Sequence, residues 1–397
     1  MKKLTVIIFT FIIAVTLNID AMAQNAPALT PMRSVARPEI EMMNTLDPSA
    51  FAFAYWDGGT FTITPMPGRS AEIHRAVAEV RTAAHPNLPT IAVRPEPMPG
   101  TTYSFAQRTA ARQFLVENRD ALRIQGVGFN RNGLGVFMLP SATPADRQAL
   151  LAAAPITAIE FLAAQAADPA PPVPPGGVVI DTSYTPLPPG SPPPVITGAS
   201  LARREQRRDW SSFTVSAVRN WNGVTGEAGV LTIGHGFRSG QPVFAGSNSG
   251  RVGVADVRFG DNLDVTFVRL DNPSQFPRGY MRGGDRVSRM VDLSVFDYGR
   301  VVGNHTTIFG TTVGQIVLTQ HSFRMWTEEG VFNFDNAVVI NNPVRVGNSG
   351  SPVLTDRITL AGLVVAAAGT RSGANWSHSI VLPISDVVAA TGFLPAF

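Results

Sequence analysis

Gly347-Asn348-Ser349-Gly350-Ser351-Pro352-Val353 sets a serine hydroxyl among small residues, just ahead of an apolar strand. Serine becomes a nucleophile only when a neighbouring base takes its proton, and that base needs a third group to fix its tautomer and balance its charge. Both partners are available upstream. His235 ends the run Leu231-Thr232-Ile233-Gly234-His235. Asp264 begins Asp264-Val265-Thr266-Phe267-Val268, where alternating apolar residues bury a strand and carry the acid to its edge. Asp261, in a glycine-flanked turn, is the competing acid; its setting is that of a solvated carboxylate, whereas an imidazolium partner calls for a buried one. The N–H groups of Gly347 and Ser349 could converge on an oxyanion, a donor worth roughly 3 kcal/mol of transition-state stabilisation in a hydrolase.

These residues need strands to hold them, and the chain from Trp210 onward supplies them. Segments rich in valine, phenylalanine and threonine fall at 213–218, 229–233, 242–245, 252–257, 265–270, 314–319, 331–340, 360–366 and 380–382, separated by glycine and asparagine turns. Many short strands without a long helix predict an all-β barrel or sandwich. One helix closes the chain, with Ser385 as its expected cap and Gly392 as its stop. His235, Asp264 and Ser349 then each fall at a strand-to-loop junction.

Residues 24–167 read as a small α+β domain. A hairpin over 51–64 turns at Asp57-Gly58-Gly59, and a helix follows with Ser70 as cap and Ile73, Ala76, Val77 and Val80 on one face. Ser104 and Gln107 form a capping box that opens a second helix. Strands over 124–129 and 134–139 turn at Asn132-Gly133, and Thr143-Pro144 starts a third helix before a strand over 156–162. The polar residues of this domain form no catalytic grouping; His74 and His85 read as a helix-surface and a helix-end residue. Eleven prolines between Asp168 and Ser200 preclude helix or sheet and predict a semi-rigid linker over 168–208. It ends in Arg203-Arg204-Glu205-Gln206-Arg207-Arg208, which is either a processing site or a solvated linker end.

The 397 residues, 44 % hydrophobic and 15 % charged, describe a globular chain long enough for two or three domains. A net charge of +3 gives no reason to invoke nucleic acid or an anionic membrane as partner. With no cysteine, disulfides, thiolate chemistry and cysteine-ligated metal are excluded. Lys2 and Lys3 precede an apolar run from Leu4 to Leu17 and the small-x-small site Ala21-Met22-Ala23, the pattern of an export signal peptide over residues 1–23. That run is shorter than the ~20 residues a spanning helix needs. His305 and His321 have no acidic neighbour or ligand spacing and read as structural.

Residues 210–397 resemble a trypsin-like (chymotrypsin-fold) serine peptidase, through Leu231 to His235, Asp264 to Val268 and Gly347 to Val353, in that order. The last motif, with Ile380-Val381-Leu382-Pro383-Ile384-Ser385, is similar to bacterial glutamyl endopeptidases and HtrA-type peptidases. The resemblance implies a double β-barrel over 209–397 with the site between the barrels. It makes His235 the general base, Asp264 its orienter, Ser349 the nucleophile, and the Gly347 and Ser349 amides the oxyanion hole. The activity implied is cleavage of protein or peptide substrates through an acyl-enzyme, with no cofactor and no metal beyond a calcium ion that could steady a surface loop. The N-terminal domain resembles, in position only, the pro-regions of secreted peptidases, which assist folding and block the cleft until cut.

The chain also departs from that pattern. Asn348 stands where digestive enzymes have an aspartate that pairs with a new N-terminal amine. Val364 or Val365 stands where the family places a hydroxyl donor to the buried acid, leaving Thr232 or Thr266 as substitutes. Pro343, Val364, Val365, Ala366 and His378 are the expected substrate-binding residues. Their small apolar character suits a small or medium hydrophobic side chain, and His378 could favour an acidic one. An inactive homologue that uses the cleft for binding or adhesion is the alternative reading.

Overall fold

The structure, a computed structural model, describes residues 30–83, 85–86, 88–94, 103–162, 215–235, 237–244, 251–272, 287–306, 310–327, 330–345, 348–372 and 375–397. The expected signal peptide over 1–23, the expected linker over 168–208 with its Arg203–Arg208 run, and Gly347 lie outside these residues. Among the described residues no helix is long and apolar enough to cross a membrane.

The hairpin Phe51–Asp57 and Thr60–Pro65 forms as its turn predicts, with Gly58 and Gly59 both at positive φ and a third strand, Ile91–Val93, added in parallel. Helix Phe105–Glu117 begins with the Ser104–Gln107 capping box, and helix Pro144–Ala153 with a box between Thr143 and Asp146. Two caps are corrected. Helix Ser70–Thr82 starts on Ser70 and is preceded by Arg69, which has no cap bond and instead pairs with Glu72 and Asp47. The last helix, Ile384–Thr391, starts one residue before Ser385 behind Pro383, and ends as expected at Gly392 in the left-handed region. A further helix, Pro38–Thr45, was not expected from the sequence.

The second half holds two sheets. One has six strands in the order Pro242–Phe244, Arg251–Gly260, Leu263–Leu270, Glu227–Thr232, Val215–Arg219 and Leu394–Pro395. In the other, the strands Thr359–Ser372, Pro352–Leu354, Val301–Thr306, Gly310–Thr327, Gly330–Ile340 and Asn375–Pro383 pair in sequence, and the last pairs with the first. This closed barrel is filled by Val302, Ile316, Val338, Ile340, Val364 and Val381, as closure without a free edge requires. The all-β second half preceded by an α+β region is the architecture the patterning predicts.

Composition changes at the linker, but packing runs across it. The strand Ile124–Asn130 pairs with the long strand Gly310–Thr327, so the N-terminal hairpin extends the barrel sheet. Met32 and Phe137 join the core of the second half, while Val295 and Phe296 join that of the first. Arg37 reaches across to Asp297 with two bonds of 2.7 and 2.8 Å, and the carboxylate is fully buried. Gly126 permits the close approach of hairpin and barrel: a Cβ there would lie 2.5 Å from Cε1 of His321.

Candidate active site

His235 and Asp264 come from neighbouring antiparallel strands, Glu227–Thr232 and Leu263–Leu270, where Thr232 pairs with Thr266. The pairing register therefore delivers both residues to one end of the sheet. Asp264 is 0 % exposed, and its Oδ2 lies 2.6 Å from Nδ1 of His235. Its Oδ1 accepts the N–H groups of Gly234 and His235, each at 2.7 Å. Two amides and one imidazole thus satisfy the buried carboxylate, and charge-assisted bonds of this kind are roughly twice as strong as neutral ones. No side-chain hydroxyl is needed: the Thr266 hydroxyl is buried without a partner among the described residues.

A carboxylate oxygen can only accept, so in this bond Nδ1 of His235 is the donor. Gly234 is the residue sequence reasoning missed. A Cβ at this position would approach Asp264 Oδ1 to 3.0 Å, so a glycine before the histidine lets the acid reach both amides. Asp261 is exposed and accepts the Asn333 N–H at 2.7 Å, a turn contact away from His235.

Ser349 is half-buried in the turn between the strands Val344–Arg345 and Pro352–Leu354. The turn is held at two points. Asn348, fully buried, exchanges bonds with Arg345: the Arg345 N–H donates to its Oδ1 at 2.9 Å and its own N–H to the Arg345 carbonyl at 3.0 Å. Gly350, at φ +82°, donates to the Val364 carbonyl at 2.7 Å, and Val364 donates to the Ser351 carbonyl at 2.9 Å. Asn348 thus acts as a turn staple on its own loop.

The strand carrying Val364 borders this turn. Val364 and Val365 are each 1 % exposed, with side chains in two different cores, so this strand offers a ligand mainly its backbone edge. Past Val364 the edge opposite the strand Asn375–Pro383 has no strand partner among the described residues. Ala366 is half-buried and Pro343 exposed. Behind them Ser379 donates to Asn342 Oδ1 at 2.5 Å, both residues buried. His378 is half-buried, its Nδ1 2.7 Å from the Ser377 hydroxyl, and burial holds the imidazole below its ordinary value. His74 and His85 are exposed, and His321 is fully buried. Among the described residues no three His, Asp or Glu side chains gather to hold a metal.

No family model and no curated protein matches the chain. Solved structures similar to about half of the chain are serine proteases. Thermobifida fusca protease A is 17 % identical, over 50 % of this chain and 97 % of its own, with a TM-score of 0.39. Cellulomonas bogoriensis chymotrypsin is 18 % identical over 51 % and 97 %, with a TM-score of 0.38. A glutamic acid specific serine protease is 17 % identical over 50 % and 99 %, with a TM-score of 0.40.

Proposed function

We propose that the chain is an exported serine endopeptidase that cleaves protein substrates through an acyl-enzyme on Ser349. The observation that carries this reading is the buried Asp264 carboxylate bonded to His235 Nδ1 and to two backbone amides. That arrangement stabilises an imidazolium, which is what a general base becomes when it takes the serine proton.

In the proposed reaction His235 Nε2 accepts the Ser349 proton as Oγ attacks the scissile carbonyl. The developing oxyanion is met by the amides of Gly347 and Ser349. His235 then returns the proton to the leaving amine, and water repeats the sequence on the ester. The open edge beyond Val364 supports binding of the substrate as an added strand, a mode in which main-chain bonds give affinity and side pockets give specificity. A small or medium apolar residue suits the scissile position, with Pro343 and Ala366 at its border. The N-terminal part acts as an intramolecular partner of the peptidase half, a role supported by the sheet they share. The full chain, treated with a fluorophosphonate serine probe, should label at Ser349, and Ser349→Ala should not. Absence of labelling in the unsubstituted chain would favour a binding protein instead.

A further inference from the structure

Along the strand Thr359–Ser372, past the open edge, lies a cavity of about 200 Å³ that neither half of the chain forms alone. Phe137 and Leu162, from the N-terminal part, and Val317, from the long barrel strand, give it an apolar lining. Its polar groups are Glu160, Asn130, Tyr298 and His378. Glu160 is exposed, and its Oε2 accepts the Asn130 amide at 2.7 Å, a neutral donor that leaves the negative charge in place.

Tyr298 and His378 bring no opposing charge. Burial, with Glu160 nearby, pushes the Tyr298 phenol up, and burial pushes the His378 imidazole down, so both are neutral near pH 7. Among the described residues that line the cavity, Glu160 is the one with a formal charge; the Arg131 guanidinium, 4.6 Å over the Tyr55 ring, acts on Tyr298 from outside the lining. His378 is held in place by Ser377, whose hydroxyl lies 2.7 Å from its Nδ1 and accepts the Thr370 N–H at 3.0 Å. Gly369, at φ +87°, leaves room beneath the imidazole that a Cβ would fill.

The cavity's position relative to the reacting serine follows from the strand. Val364 is bonded to the Ser349 turn, and Gly369 lies five residues further along a strand whose register shifts between Val364 and Ala366, hence at most roughly 16 Å away and about four ladder positions on. A peptide laid antiparallel on this edge, with its scissile residue at Ser349, brings the residue about four positions upstream beside Gly369.

We propose that this composite cavity is a substrate subsite for a lysine or arginine side chain about four residues N-terminal to the scissile bond. The aliphatic stem lies against Phe137, Leu162 and Val317, and the cation reaches Glu160 at the rim. The inference rests on the endopeptidase reading, and it makes the N-terminal part a specificity element of the working enzyme.

The test uses the full chain carrying Ser349→Ala and fluorescent peptides of otherwise neutral sequence, with arginine or glutamate scanned through the upstream positions. Arginine at one position near the fourth should bind roughly five- to tenfold tighter than glutamate there, the size of a partly screened ion pair with a packed stem. Adding Glu160→Gln should reduce the ratio to about 1 to 2, and Glu160→Arg should invert it, which a folding defect cannot mimic. An arginine-to-glutamate ratio near 1 at every position, or one that survives Glu160→Arg, overturns the subsite. Because binding is read without turnover, a chain that resists the fluorophosphonate probe refutes the peptidase reading while these ratios still decide the subsite. A labelled enzyme with no charge preference does the reverse.

Discussion

Acid should loosen the seam between the two halves of this chain at one residue, His321. The imidazole is fully buried on the long barrel strand, with the ring of Phe323 parallel at 5.7 Å and Phe137 edge-on at 5.4 Å. Burial first, then the Arg112 cation, push it down to about 3 from an ordinary 6.5. Between those values the unfolded chain binds a proton that the folded one refuses. The stabilisation is therefore complete well above pH 6.5 and is lost progressively as the pH falls through 6.5 toward 3. The slope approaches about 1.4 kcal/mol per pH unit, so about 2.7 kcal/mol disappears between pH 7.5 and 4.5. Urea unfolding of the natural chain and of His321→Phe, followed by tryptophan fluorescence from pH 7.5 to 4.5, reads this loss. Phenylalanine keeps the ring and cannot titrate. The variant should start about 1 kcal/mol weaker for the lost bond between the imidazole and the Val127 backbone, and gain on the natural chain as the pH falls. Carboxylates shared by both cancel in the difference. A difference that stays within about 0.5 kcal/mol across the range would refute the argument.

Other expectations follow from the same contacts. Arg37→Met leaves the buried Asp297 carboxylate with only Arg300 and the Ser294 amide, and should cost about 3 kcal/mol in urea unfolding; a loss below about 1 kcal/mol would mean the pair contributes little. Cutting the chain within Arg203–Arg208 should leave two pieces that co-elute in gel filtration without denaturant, because one sheet spans both; separate elution would contradict this. Asp264→Asn should lower kcat about 10⁴-fold with the fold intact, by turning an N–H toward His235 Nδ1 and reversing its tautomer; a loss under about tenfold would remove the residue from its proposed role. Gly299→Ala should destabilise by about 2 kcal/mol or more in thermal unfolding, since φ is +80° and the new Cβ would meet the Trp56 carbonyl oxygen.

Much of this fold is written in local signals. The strands beside His235 and Asp264 show as apolar runs ending in a polar residue, and the boxes at Ser104 and Thr143 show because cap and partner are three residues apart. Helix Pro38–Thr45 is harder to read. Its cap, Arg37, makes no cap bond and is occupied by Asp297, a partner 260 residues away. Ser70 and Ser385 mislead for the opposite reason: a serine near a helix start is only a candidate, and position in the first turn decides whether it caps. The satisfaction of Asp264 by the Gly234 and His235 amides was hidden because backbone donors leave no residue-type signature. Least legible is the pairing of Val127 with Ser322, which depends on contacts across the proline-rich linker and on Gly126 admitting His321.

Residues far apart in the sequence share one short seam. Met32 donates to the Pro395 carbonyl, Thr30 and Phe397 exchange backbone bonds, and Leu394–Pro395 is the edge strand beside Val215–Arg219. Residues 394–397 therefore cover two things at once, the stretch 30–32 and the outer edge of Val215–Arg219. The neighbouring residues do not depend on them, since Arg33–Ser34 pairs with Arg289–Met290 and Arg37 with Asp297. A folding intermediate in which 394–397 have not docked would thus expose an unpaired sheet edge, the kind of surface on which chains associate.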